Sequence, residues 1–319
     1  MPELKPKSTR QAFGEALATL AEAHPEIVVL DADLSKSTKT DIFARKFPER
    51  FFEMGIAEAN MIGTAAGLAF AGKLPFACSF GCFLTGRYDP IRMSVVYSQA
   101  NVRLVGTHAG VGIGDDGHSQ MGIEDVALMR ALPTMGVFQP MDARETELLM
   151  NYLVNDWTGP AYLRLTRQNL PNLFPAGSDF EPGKLMNLNP EVTVADVICI
   201  ASGATVAEAV GASQLLQARG VDVSVWNAHC LKPFDRETLQ ANLGKAKLIV
   251  SVEDHSVIGG LGSCVSEVLS ELTRHPPLVR LGIQDVFGES GDPTELYDIH
   301  GISAKSIAQT VLGRLKEHE

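Results

Sequence analysis

Two α/β domains, each built on a mostly parallel sheet, are the architecture predicted by this 319-residue chain. Three observations carry that prediction. Short apolar runs alternate with segments of helical periodicity, a stretch rich in Pro, Asn and Gly interrupts them, and a second alternating series follows. The length agrees, since a chain of this size can bury two separate cores.

The elements follow in order. Ser8 can cap a helix running to about Ala23, with Gln11 completing a capping-box pattern. IVVLDADL (27–34) reads as a buried strand ending in acids. Residues from Glu58 to about Phe70 have helical spacing, and LPFACSF (74–80) and VRLVGTHAGV (102–111) are short strand-like runs. Between those runs TGRYDPIRMSVVYSQA is helical, with Pro90 early in the helix or kinking it. IEDVALMRAL (123–132) is a helix, MGVFQP (135–140) a strand, ARETELLMNYLVN a helix and PAYLRLT (160–166) a strand. The text changes between Asn169 and Thr193. The expected boundaries are a first domain over 1–175, a linker over 176–191 and a smaller second domain over 192–319. In the second domain DVICIAS, VDVSVWNA, KLIVSVED and PLVRLGI are the strands. VAEAVGASQLLQARG, RETLQANLGKA, GGLGSCVSEVLSEL and ISAKSIAQTVLGRL are the helices. No solenoid-period repeat or low-complexity tract is present.

Composition narrows the class. With 45% hydrophobic and 20% charged residues the chain reads as a soluble globular protein. A formal net charge of -11 argues against nucleic acid as a general partner. An anionic substrate must then be held by a few local basic residues. The five cysteines are odd in number and lack zinc-type pairs, as expected of reduced core thiols in the cytoplasm. The N-terminal stretch is basic and then amphipathic, without an apolar leader core. The apolar runs carry charges or are too short to span a bilayer, so no membrane partner is expected.

Four stretches are candidates for chemistry. In GIAEANMIGTAAGLAF, Glu58 heads a helix whose Ala59, Gly63, Ala66 and Gly67 leave no bulk. The structural reading is a first-turn acid facing the helix dipole. The functional reading is a proton carrier in apolar surroundings, beside a close backbone or a flat ligand. GTHAGVGIGDDGHSQMG (106–122) gathers His108, Asp115, Asp116 and His118 after a strand. Ligands collect beyond strand ends in parallel sheets, although Asp and Gly also form plain turns. Phe80 and Phe83 either pack in the core or offer ring faces to a planar heterocycle. Arg167, at the mouth of a strand, is either a phosphate clamp or a solvated charge. GGLG (259–262), GESGD (288–292), Cys78 and Cys82 are read as structural.

Taken together, these stretches resemble the C-terminal half of the transketolase family of thiamine diphosphate enzymes. GIAEANM, the aromatic run after SF, the TH…GDDG loop, TRQNLP, and EDHSVIGGLGS with FGESGDP follow in the family's order across nearly the whole chain. The resemblance implies a pyrimidine-binding domain followed by a transketolase C-terminal domain. It implies that Glu58 bonds a ring nitrogen of the cofactor's aminopyrimidine, with Phe83 stacked on that ring and Phe80 beside it. Such an acid must be dry and closely approached, which explains the small residues around it. By position Arg10, Ser37, His108 and Arg167 hold the phosphate of a sugar phosphate, and Asp116 contacts a donor hydroxyl. His118 is carried over as a substrate contact, although the family's second loop histidine falls two residues later, at Gln120.

The family holds the diphosphate and Mg²⁺ through a Gly-Asp-Gly segment followed by Asn-Asn, and this chain contains no Asn-Asn pair. The resemblance therefore implies the C-terminal subunit of a split transketolase, moving a two-carbon ketol unit between sugar phosphates. It implies a companion N-terminal subunit holding most of the diphosphate and the metal, a homodimer for this chain alone, and a heterotetramer when active. The nearest rivals are the beta subunit of a 2-oxo-acid dehydrogenase and a deoxyxylulose-phosphate-synthase-like enzyme. A rival of another class is a non-catalytic, anion-binding regulatory subunit.

Overall fold

Apolar residues in the first strand serve two cores in alternation: Ile27 and Val29 enter one cluster, Val28 and Leu30 the other. That period of two is what a strand with helices on both faces requires. The computed structural model describes residues 5–244 and 246–317. Residues 1–4, which open the basic N-terminal stretch, and Lys245, inside the expected helix RETLQANLGKA, lie outside that description.

The strands are β1 (Ile27–Asp31), β2 (Phe51–Glu53), β3 (Leu74–Phe80), β4 (Arg103–Thr107), β5 (Gly136–Phe138), β6 (Ala161–Arg164), β7 (Met186–Asn187), β8 (Val197–Ala201), β9 (Val223–Asn227), β10 (Cys230–Lys232), β11 (Leu248–Ser256) and β12 (Leu278–Ile283). They form a seven-stranded sheet in the order β10-β5-β6-β4-β3-β1-β2 and a five-stranded sheet in the order β12-β11-β8-β9-β7. Among the described residues, only the edge strands β10 and β7 run antiparallel. The fold is the expected pair of mostly parallel α/β sheets.

One face of the larger sheet is covered by helices Thr9–Leu20, Asp41–Lys46 and Ala143–Asn155, through Phe13, Leu17, Phe43, Leu149 and Leu153. Its other face meets Met61, Ile62 and Ala65 of helix Glu58–Phe70, and this core continues into Ile198 and Ile200 of the second sheet and Leu261 of helix Leu261–Ser270. A third cluster, including Val206, Ile307 and Val311, lies on the far face of the smaller sheet.

Three strands lie outside the sequence expectations. β2 is three residues long and half exposed, and β7 has two residues inside the expected linker. β10 follows β9 closely but crosses to pair with β5 at the edge of the first sheet. In the segment read as one helix around Pro90, a short helix Tyr88–Pro90 passes into a π-helix over Ile91–Tyr97. No helix among the described residues is long and apolar enough to cross a membrane.

Candidate active site

Four neighbouring strands of the larger sheet, β6, β4, β3 and β1, are parallel. The chain leaving the carboxyl end of each supplies part of one cavity, where parallel sheets gather ligands. After β1 the chain turns through residues 34–40. The buried Asp31 carboxylate fixes this turn, accepting from the Leu34 N–H at 2.7 Å and from the Thr38 and Thr40 hydroxyls at 2.7 and 2.8 Å. Burial pushes Asp31 above the usual aspartate range, against the lowering effect of these donors. After β6, the Thr166 N–H donates to Thr9 Oγ1 at 2.8 Å, which brings the start of the first helix beside the strand end and sets Arg10 near Arg167.

The resulting cavity, about 510 Å³, is lined by Arg10, Ser37, Phe80, Phe83, His108, Asp116 and Arg167, together with Leu34, Lys36, Lys39 and Gln120. Four of these side chains, Arg10, Lys36, Lys39 and Arg167, are cations, against the single carboxylate Asp116. Arg10 Nη1 donates to the Ser37 carbonyl at 2.8 Å and to His108 Nε2 at 3.0 Å. Arginine cannot accept, so Nε2 is the acceptor and the ring proton lies on Nδ1, which donates to Thr107 Oγ1 at 2.9 Å. Burial, then Arg10, Arg167 and Lys39, push His108 down to about 3, so the imidazole is neutral near pH 7. Burial also lowers Arg10, followed by repulsion from Arg167, with Asp116 opposing both. Arg167 donates to the Ile113 carbonyl at 2.6 Å and stands 3.8 Å from Asp116. Two close guanidinium groups with one partly exposed acid leave a local excess of positive charge, as an oxyanion site needs.

Phe80 stacks on both neighbours, with ring centroids 5.3 Å from Phe83 and 3.7 Å from His108. Glu58 is buried one residue away from this wall: Ser79 Oγ donates to Glu58 Oε1 at 3.3 Å. Ser79 precedes Phe80 on β3, and its carbonyl accepts from the Thr107 hydroxyl at 3.4 Å. The acid and His108 thus share one hydrogen-bonded frame through Ser79 and Thr107. Glu58 Oε2 has no hydrogen-bond partner among the described residues. On the same helix Ala59, Gly63 and Gly67 face outward while Ala66 is buried, and a Cβ at Gly63 or Gly67 would touch nothing within 4 Å.

The glycine-rich loop is fixed from the second sheet. Asp254, at the end of β11, accepts from the N–H groups of Val111 and Gly112 at 2.7 and 3.1 Å, and from the Tyr297 hydroxyl at 2.9 Å. Gly110 has φ +84°, and a Cβ there would come within 2.2 Å of the Asp254 carboxylate. Nearby, Glu253 occupies the head of helix Leu261–Ser270 by accepting from the N–H groups of Leu261 and Gly262 at 2.7 and 2.8 Å. The GGLG segment is therefore satisfied by an internal carboxylate.

The structure brings seven of the sequence-predicted residues to one cavity and places Glu58 behind its wall. It does not bring His118 there. That side chain is exposed, with its ring centroid 6.3 Å from that of Phe287, and Gln120 lines the cavity instead. The sequence does not single out Lys36, Lys39 or Gln120 as cavity residues. Of these, the departure from the family's loop pattern at Gln120 was the one signal visible in the sequence.

An acid, a stacked aromatic pair and a cationic pocket stand together at the strand ends of a two-domain α/β chain. Residues 5–172 match the family model described as transketolase, pyrimidine binding domain, and residues 188–307 match that of the transketolase C-terminal domain. The chain belongs to the transketolase family and corresponds to its C-terminal section. It is 42% identical over 315 residues to a transketolase C-terminal section from Methanocaldococcus jannaschii, covering 98% of this chain and 97% of that protein. The 6-deoxy-6-sulfo-D-fructose transketolase subunit SqwH of a Clostridium species is 38% identical, with 94% of this chain and 92% of that one covered. Human transketolase is 37% identical over 96% of this chain, which spans 49% of its length. Among solved structures, a split-gene transketolase described as an inactive β4 tetramer superposes with TM-score 0.87 and 45% identity, covering 97% of this chain and 98% of that chain.

Proposed function

We infer that this chain supplies the pyrimidine side and the substrate pocket of a transketolase, which transfers a two-carbon ketol unit between sugar phosphates. The family implies thiamine diphosphate and a divalent metal as cofactors. When bound, that cofactor supplies the nucleophilic carbon that breaks and remakes a ketose carbon–carbon bond. The observation that carries the reading is the buried Glu58, one residue behind a cavity walled by Phe80, Phe83, Arg10, Ser37, His108 and Arg167.

The residues present fit the pyrimidine end of the cofactor. Glu58 Oε2 is free to hold a proton against a ring nitrogen, while Ser79 fixes the other oxygen. Glu58 is only 5% exposed, which limits the water competing for that proton. Phe83 offers a face for stacking, held in place by Phe80. Arg10 and Arg167 grip the terminal oxyanion of the sugar, Ser37 and neutral His108 add contacts, and Asp116 accepts from a hydroxyl. The second domain acts indirectly, by pinning the 106–122 loop through Asp254.

The diphosphate and Mg²⁺ are assigned to a companion chain. No group of three His, Cys, Asp or Glu side chains that could hold a metal stands together among the described residues. The outward face of helix Glu58–Phe70, flanked by exposed Ile56, Phe70 and Tyr97, is where companion or self-association would bury apolar surface. Alone, the chain then forms homo-oligomers, and the active form is a heterotetramer. Five free cysteines support a reducing, cytoplasmic setting. Identity to SqwH favours a second reading, in which the sugar carries a sulfonate.

Ketol transfer by the chain mixed with its companion tests the reading. Glu58→Gln keeps the shape but removes the proton-sharing acid, so turnover should fall roughly 10²- to 10⁴-fold with folding intact. Near-wild-type turnover would reduce Glu58 to a helix-end residue.

A further inference from the structure

A second cavity of about 410 Å³ adjoins the first, and the walls common to both are Arg10, Lys39 and Arg167. The two guanidinium groups already donate to the Ser37 and Ile113 carbonyls and to His108. The Lys39 ammonium has neither a hydrogen bond nor an ion pair among the described residues. Its placement is built in. Lys39 ends the short helix Ser35–Thr38 with φ +71°, a left-handed conformation rarely taken by a lysine. Gly14 makes room for it, since a Cβ there would lie 2.5 Å from the Lys39 carbonyl oxygen and 2.8 Å from its Cβ. The charge is also near enough to His108 to help keep that ring neutral. A half-buried, unpaired cation held by a strained backbone between two cavities calls for a ligand.

We propose that Lys39 is a specificity-determining residue, making the pocket prefer a doubly charged phosphate terminus to a singly charged sulfonate. This rests on the reading that the cavity holds the anionic end of the sugar. Phosphate and sulfonate both present three terminal oxygens, so a forked guanidinium gripping oxygens accepts either. A lysine is a compact point charge and reads charge rather than shape. Coulomb attraction scales with the product of charges, so one ammonium contributes twice the free energy toward a dianion. The factor it adds to sulfonate affinity is therefore squared for phosphate. Lys36, exposed and lining only the first cavity, is more strongly screened.

The test is binding of ethyl phosphate and propane-1-sulfonate, matched in length, to the full chain by ligand-observed NMR. At pH 8 the phosphate ester is a dianion, its second pKa being about 6. Lys39→Asn removes the charge with a residue that tolerates φ above zero. It should weaken ethyl phosphate about tenfold and propane-1-sulfonate about threefold. Equal losses for both ligands, or none, overturn the proposal. Arg10→Ala on the same probes separates the two layers. Loss of both ligands upholds the pocket, whereas unchanged binding of both removes the pocket reading and the role of Lys39 with it.

Discussion

His108 sits at φ +56°, where a side chain other than glycine is strained, and its ring is held between Phe80 and Arg10. Such strain persists only where surrounding contacts over-determine it, as the Arg10 and Thr107 hydrogen bonds do here. The same burial keeps the imidazole neutral, with a stability consequence of definite sign. The folded group titrates at about 3 and an ordinary histidine at 6.5, so between those values the unfolded chain binds more protons. Stability from His108 is complete above about 6.5 and is lost as pH falls toward 3, by at most about 1.4 kcal/mol per pH unit. His108→Asn, which tolerates the backbone angle, should flatten the fall of the urea midpoint between pH 6.5 and 4. A slope identical to wild type would mean the ring is not buried as the neutral form. At this scale the sequence was only partly legible. The resemblance implied roles for Arg10, Ser37 and Arg167 by position, and of these only Arg167, at the mouth of a strand, stood out by its own surroundings. Lys39 carried no signal, because its meaning comes from a backbone angle and from a glycine on another helix.

The turn over residues 34–40 works as an element because three groups converge on it. Asp31 bonds it from inside, Arg10 reaches the Ser37 carbonyl, and Gly14 leaves space for Lys39. Gly14→Ala tests the last of these. Helix propensity alone would favour alanine by up to about 1 kcal/mol. The added carbon meets main chain at 2.5 Å, which cannot swing aside as a flexible side chain can. Overpacking of about 1–3 kcal/mol should then prevail, giving a lower urea midpoint and weaker ethyl phosphate binding as Ser37 and Lys39 shift. A stabilised variant with unchanged binding would show that the turn is not wedged against the helix. Long, periodic elements such as helix Ala143–Asn155 and strand β3 were legible because their own residues form both faces. β10 was not. Three residues pairing across to β5 owe their position to a tertiary contact that no local pattern encodes.

At the scale of the whole molecule, the proposed function gives this chain one side of an active site. Glu58, Phe80 and Phe83 suit a flat ring, and the cations beyond them suit the far end of a sugar. The most highly charged part of thiamine diphosphate needs a metal and a set of donors, and among the described residues no group of three His, Cys, Asp or Glu side chains stands together to hold a metal. One carboxylate contact and a stacked ring are worth only a few kcal/mol before the cost of immobilising the ligand is subtracted. The chain alone should therefore bind the cofactor weakly and show no ketol transfer. Adding the companion chain with Mg²⁺ should bring tight binding and activity together, while the apolar face around Ile56, Phe70 and Tyr97 exchanges self-contacts for the companion. Calorimetric titration of thiamine diphosphate into the chain, with and without the companion, measures the first effect. Sedimentation of the same samples measures the second. Tight, Mg²⁺-dependent binding by this chain alone would mean that the diphosphate site lies within it, and the divided active site would have to be abandoned.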